Sequence, residues 1–132
     1  MARRVLDTNI LINYWGDRSR GRKSPPSTSI ARSWGDSLVV SRNSNAIVTP
    51  VFIEYICGRQ DERALSLARS FLAPFEIIDD GRIIAQDWVE AQRIAQRVLR
   101  DRSPRQLGDC LIRAICDRLH YEVDTADLRF PR

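Results

Sequence analysis

The chain of 132 residues is poor in the side chains that usually advertise chemistry. It has one histidine, His120, one lysine, Lys23, and three cysteines, Cys57, Cys110 and Cys116. A single histidine and no Cys-x-x-Cys pair exclude the common zinc sites. Serine, histidine and cysteine are not arranged in a triad-like way. The cysteines therefore read as small buried apolar residues. No apolar run approaches the roughly 20 residues that a membrane-spanning helix needs. The arginines near the N-terminus are followed by no signal-peptide apolar segment. These absences predict a cytoplasmic protein with no membrane association.

What is present is ordinary in bulk and unusual in detail. The chain is 43% hydrophobic and 29% charged, and its formal net charge is +4. The length suits one domain, residues 1–132, with a real core. Arginine carries almost all the positive charge. Its guanidinium forks onto phosphate, which suits a nucleic-acid partner; surface arginines also simply face water.

Short apolar runs alternate with helical patterns. Strands are expected at Arg3 to Leu6, Ala46 to Val48, "FEIIDD" and "HYEVDTAD". Residues 16 to 28, "GDRSRGRKSPPST", read as a mobile polar loop. Helices are expected from Ile10, over Ser29 to Val40, and after Thr49-Pro50, with Thr49 as N-cap and Pro50 in the first turn. Others are expected over "DERALSLARSFLAPF", over Ile83 to Arg100 with a stripe of Ile84, Trp88, Ala91, Ala95 and Val98, and over Leu107 to Leu119 with a stripe of Leu107, Leu111, Ile115 and Leu119. Trp15, Trp34 and Trp88 read as core or interface residues. The alternation predicts an α/β fold, with a short central parallel sheet flanked by helices on both faces.

Ligands of such sheets bind beyond the carboxyl ends of the strands. Four acids fall there: Asp7 after the first strand, Glu54 in the helix after the second, Asp109 at the start of the last helix, and Asp127 after the last strand, with Asp124 close by. Each has an ordinary structural reading. Asp7 suits a helix cap, Asp109 a helix dipole, Asp127 a turn, and Glu54 one exposed face of an otherwise apolar helix. Together they would repel by several kcal/mol at low dielectric. A divalent cation among them relieves that cost, and oxygen ligands without histidine favour magnesium or manganese over zinc.

"VLDTNILI", "VTPVFIEYICG", "GDCLIRAIC" and "VDTADLRF" together resemble the PIN-domain ribonucleases, and most of all the small VapC-type toxins of type II toxin–antitoxin pairs. The resemblance implies a PIN-like fold and an acidic set at Asp7, Glu54, Asp109 and Asp127. Asp7 and Asp109 would be the main metal ligands, Asn9 and Thr125 polar supports, and Asp124 the substitute fourth acid. Arg129 stands where the family has a further acid. The implied activity is Mg2+- or Mn2+-dependent endoribonuclease cleavage of RNA phosphodiesters, in which the metal acidifies the attacking water. Implied partners are an RNA substrate, a cognate VapB-type antitoxin and a second copy in a homodimer. Candidate RNA-binding residues are Arg18, Arg20, Arg22 and Lys23 in one basic stretch, and Arg100, Arg102 and Arg105 in another.

Other readings compete. One is a catalytically inactive PIN-like module that binds RNA or protein. A haloacid-dehalogenase-type phosphatase would want an aspartate where Asn9 stands. A receiver-type domain would want a late lysine, and Lys23 is in the wrong place.

Overall fold

The computed structural model describes residues 3–97 and 105–131. Four short strands, β1 (Arg4–Leu6), β2 (Ala46–Ile47), β3 (Glu76–Ile77) and β4 (Glu122–Asp124), form one all-parallel sheet in the order β3-β2-β1-β4. The register pairs Val5 with Ala46 and Val123, and Ile47 with Ile77. The six described helices are α1 (Thr8–Ser19), α2 (Thr28–Arg42), α3 (Thr49–Cys57), α4 (Glu62–Leu72), α5 (Ala85–Ala95) and α6 (Leu107–Leu119).

The strand order dictates where the helices go. Right-handed crossovers from β1 to β2 to β3 place α1 to α4 on one face. The return from β3 to β4 passes back over the sheet and places α5 and α6 on the other. The direction of winding reverses between β1 and β4, and in such sheets that crevice is the ligand-binding position.

The core is one cluster centred on Val5, Leu6, Ile47, Val48, Phe71, Ile112 and Ile115. Trp15 meets the edges of Trp34 and Phe71 at 5.0 and 5.1 Å between ring centroids. Gly35 lets α2 approach α4 closely, since a Cβ there would strike the Phe71 carbonyl. Across the other face, Arg118 of α6 forks onto the buried Asp87 of α5 at 2.7 and 2.9 Å. Asp87 also accepts from the Ile84 N–H, which closes the start of α5.

Several expectations need correction. The helix α1 continues to Ser19, so the polar loop starts later than its glycine and charges suggested. Thr49 is not the N-cap of α3; Val48 holds that position and offers no side-chain oxygen. Asp79 replaces it from across the sheet, accepting from the Thr49 N–H at 3.0 Å and from its hydroxyl at 2.6 Å. On α5 the buried face is Ala91 and Ile94, while Ile84 and Trp88 are nearly half exposed and Ala95 faces solvent. Helical spacing also misplaced Leu107, which projects from the first turn of α6 and is 76% exposed. Cys110 and Cys116 are buried as expected, but Cys57, at the end of α3, is exposed. Val98, Arg100 and Arg102 lie outside the described residues. Among those described, no helix is long and apolar enough to cross a membrane.

Candidate metal centre

Four separate segments deliver acids to the carboxyl edge of the sheet. The ladder between β1 and β4 is extended by the Asp7 N–H, which donates to the Asp124 carbonyl at 2.9 Å. Asp7 then turns out of the strand with extended backbone and caps α1, its Oδ1 accepting from the Thr8 N–H at 2.8 Å. It is 3% exposed. Capping and burial thus coexist in one carboxylate, and its second oxygen is left to point away from the helix.

That second oxygen, Oδ2, accepts from the Thr125 hydroxyl at 2.8 Å. The same hydroxyl oxygen accepts from Asn9 Nδ2 at 3.1 Å and from the Asp127 N–H at 3.0 Å. One donor and two acceptor positions are all a hydroxyl has, so Thr125 is saturated. Asn9 completes the web through Oδ1, which accepts from the Ala126 N–H at 3.1 Å. Asn9 and Thr125 therefore fix the segment that carries Asp127 against the start of α1. Asn9 reaches Asp7 only through Thr125.

Glu54 projects from α3 toward the same place. Its Oε1 accepts from the Thr8 hydroxyl at 2.9 Å. From α6, Gly108 closes in: a Cβ at this residue would lie 3.0 Å from Glu54 Oε2. The missing side chain is what lets the first turn of α6, with Asp109, sit beside Glu54. Thr8 and Gly108 were not singled out by sequence reasoning. Their only signals were their places beside Asp7 and Asp109.

The electrostatics follow from crowding. Burial pushes the Asp109 carboxyl up to about 6, with repulsion from Asp7, Glu54 and Asp127 adding to it. Burial also raises Asp7, opposed by its hydrogen bonds from Thr125 and Thr8 and assisted by the Asp127 charge. Glu54 keeps a solvent-facing side, yet is raised by desolvation against its neighbours and by Asp7, with the Thr8 hydrogen bond opposing. Among the described residues, no basic side chain figures among the groups acting on these three acids. Asp127 differs, since Arg129 Nε lies 3.5 Å from its Oδ1.

Asp124, the substitute fourth acid, is turned to other use. It pairs with Arg42 of α2 at 3.3 Å. Asp127 is the acid of the last segment whose charge reaches Asp7 and Asp109.

These residues suit a hard dication. All are oxygen donors that crowd like charges, and among the described residues Arg129, against Asp127, is the cation paired with one of them. Among the described residues, no three Asp, Glu, His or Cys side chains form a ready-made ligand cage. Magnesium does not require one, because it keeps several waters and is commonly held by one or two carboxylates. Asp7 is almost wholly buried, Asp109 and Asp127 are half-buried, and Glu54 is the most exposed of the four.

The basic stretch at the end of α1 stands apart from the acids. Arg18, Arg20, Arg22 and Lys23 follow or end α1, while Asp7 precedes it; eleven steps of 1.5 Å between its 12 residues put about 16 Å between its ends. Arg18 donates to the Tyr14 hydroxyl at 2.7 Å, and Arg20 pairs with Asp17 at 3.0 Å. Arg105 precedes α6, and its Nε is buried without a hydrogen-bond partner among the described residues. A cavity of about 500 Å3 lies at the opposite, amino edge of the sheet, lined by Arg3, Arg4, Asn45, Glu76 and Tyr121, and so contributes nothing to the acidic centre.

No family model, curated protein or solved structure matches this chain.

Proposed function

We propose that the chain is a PIN-like, Mg2+- or Mn2+-dependent endoribonuclease, acting as the toxin of a VapBC-type pair. The observation that carries this reading is the convergence of Asp7, Glu54, Asp109 and Asp127 at the β1/β4 crevice. A bound Mg2+ or Mn2+ would supply Lewis acidity toward the phosphoryl oxygens and a more acidic water. Asp7 and Asp109 would hold the ion. Glu54 and Asp127 would accept hydrogen bonds from the attacking water and orient it in line with the scissile bond. Thr125 and Thr8 hold Asp7 and Glu54 in fixed rotamers, so little reorganisation is needed when substrate arrives.

The toxin part of the proposal draws support from exposed apolar residues. Ile12 of α1 and Ile53 of α3 are each 50% exposed on helices that carry the acids' neighbours. Leu107 and Leu128 flank Asp109 and Asp127 in sequence and are also exposed. Such a rim suits an antitoxin segment laid over the acids. A second reading, a PIN-like module that binds RNA or protein without cutting, is favoured by one contact: Arg129 against Asp127 partly neutralises the fourth acid.

The test is RNA cleavage by the purified chain with magnesium, with manganese and with chelator, beside Asp7→Asn. Metal-dependent cutting that disappears in the variant supports the nuclease. Binding without cutting under every condition supports the module.

A further inference from the structure

A second cavity, of about 350 Å3, lies at the far end of α1 from the acids. Its walls combine an aromatic side chain, Trp15; two cations, Arg22 and Lys23; and apolar Pro26 and Leu67. Ser19 also lines it, and the Ser19 hydroxyl oxygen is fully buried with no hydrogen-bond partner among the described residues. Buried hydroxyls are normally satisfied, so an orphan beside a cavity marks a place where a ligand or water supplies the bond. Arg22 is held in position by the Trp34 ring, 5.6 Å from its guanidinium carbon, and by the Ser24 carbonyl, to which Nε donates at 3.4 Å. Among the described residues only Nε is used, which leaves the terminal guanidinium nitrogens for another acceptor.

We infer that this cavity is a phosphate-anchoring subsite for single-stranded nucleic acid, set one helix length from the acidic centre. Two cations and a hydroxyl donor match a phosphodiester, and the Trp15 indole in the same wall adds an aromatic contact for the adjoining nucleotide. The length of α1 puts the subsite about 16 Å from Asp7, so one strand engages both places at once. That the strand is RNA rests on the ribonuclease reading; that the cavity takes a phosphodiester does not.

The test measures binding, with chelator present so that cutting plays no part. A fluorescein-labelled single-stranded oligoribonucleotide is titrated with the full chain and followed by anisotropy across a series of salt concentrations. Arg22→Ala/Lys23→Ala should weaken binding about tenfold at low salt and flatten the slope of log K against log salt by about 1. Ser19→Ala should weaken binding severalfold while leaving the melting temperature unchanged or raised, since it removes an unpaired polar atom. The charge-preserving Arg22→Lys/Lys23→Arg variant should retain the wild-type salt slope. Unaltered affinity and slope in the double alanine variant overturn the inference, as does an absence of binding in the wild type. Displacement of the oligonucleotide by an oligoglutamate peptide of equal charge also overturns it, because the cavity would then be an acidic-protein site. A chain that cuts RNA but binds it independently of Arg22 and Lys23 keeps the nuclease reading and loses this one; a chain that never cuts but shows the predicted dependence does the reverse.

Discussion

The Thr125 hydroxyl donates to Asp7 Oδ2 at 2.8 Å, joining residues 118 positions apart in the sequence. This bond ties the end of β4 to the end of β1 at the point where the sheet reverses its winding. It also satisfies a carboxylate that is almost wholly buried. Thr125→Val keeps the shape and removes the donor, leaving Asp7 short of a partner. The expected cost is about 1–3 kcal/mol of stability, read by urea unfolding. Cleavage should fall with it, because Asp127 takes its backbone position from the same hydroxyl. Thr125→Ser should recover most of both. A Val variant as stable and active as the wild type would show that the bond organises nothing.

The crowded acids predict an inverted pH dependence. In the unfolded chain Asp7 and Asp109 return to an ordinary value of 3.8 and Glu54 to 4.5, whereas folding raises all three, Asp109 to about 6. Between those limits the folded state binds more protons than the unfolded, so stability falls as pH rises through the window. Below it the groups are protonated in both states and the penalty vanishes; above about pH 6 the penalty from Asp109 is complete. Metal-free protein should therefore melt at a higher temperature near the lower end of the window than at neutral pH. Asp109→Asn should flatten the profile and melt higher at neutral pH. Thermal unfolding with chelator, wild type beside Asn variant, checks both.

Gly108 separates stability from function. Alanine is favoured over glycine in a helix by about 0.8–1 kcal/mol, so Gly108→Ala in α6 starts with a gain. Against it, the new methyl would lie 3.0 Å from Glu54 Oε2. Glu54 has to give way, and moving it strains its hydrogen bond from Thr8. The expected outcome is a melting temperature near or above wild type with reduced cleavage. Loss of folding together with activity would point to a packing role for the glycine instead.

The Asp87–Arg118 pair holds α5 to α6 away from the acids. Arg118→Ala strands a carboxylate that is 1% exposed, at an expected cost of about 3–5 kcal/mol. Replacing both, Asp87→Leu with Arg118→Met, should recover much of that loss. Denaturant titration of the single and double variants measures the difference; equal losses in the two would contradict the account.

Much of this molecule is legible in its sequence because its strands are short, apolar and punctuated by helix starts. The four strands fall where "VL", "AIV", "FEII" and "YEVD" place them, and parallel pairing follows from their alternation with helices. The convergence of Asp7, Glu54, Asp109 and Asp127 on one edge follows from that topology. What was missed depends on partners far away in the chain. The residue type of Thr49 and the proline after it suit a cap, yet Asp79 reaches in from beyond β3 and does the capping. Periodicity marked Ile84 and Trp88 as buried although packing on α6 selects the Ala91 and Ile94 side of α5. Thr8 and Gly108 carry no local signal, since a hydroxyl aimed at Glu54 and a missing Cβ acquire meaning only once α1, α3 and α6 meet.

The central claim is that these acids share a divalent cation, and calorimetric titration of the metal-free chain with Mn2+ at neutral pH tests it most directly. The account predicts saturable binding in the wild type, a higher melting temperature on saturation, and loss of both in Asp7→Asn and Asp109→Asn. No binding to the wild type, or binding that both variants retain in full, would contradict it.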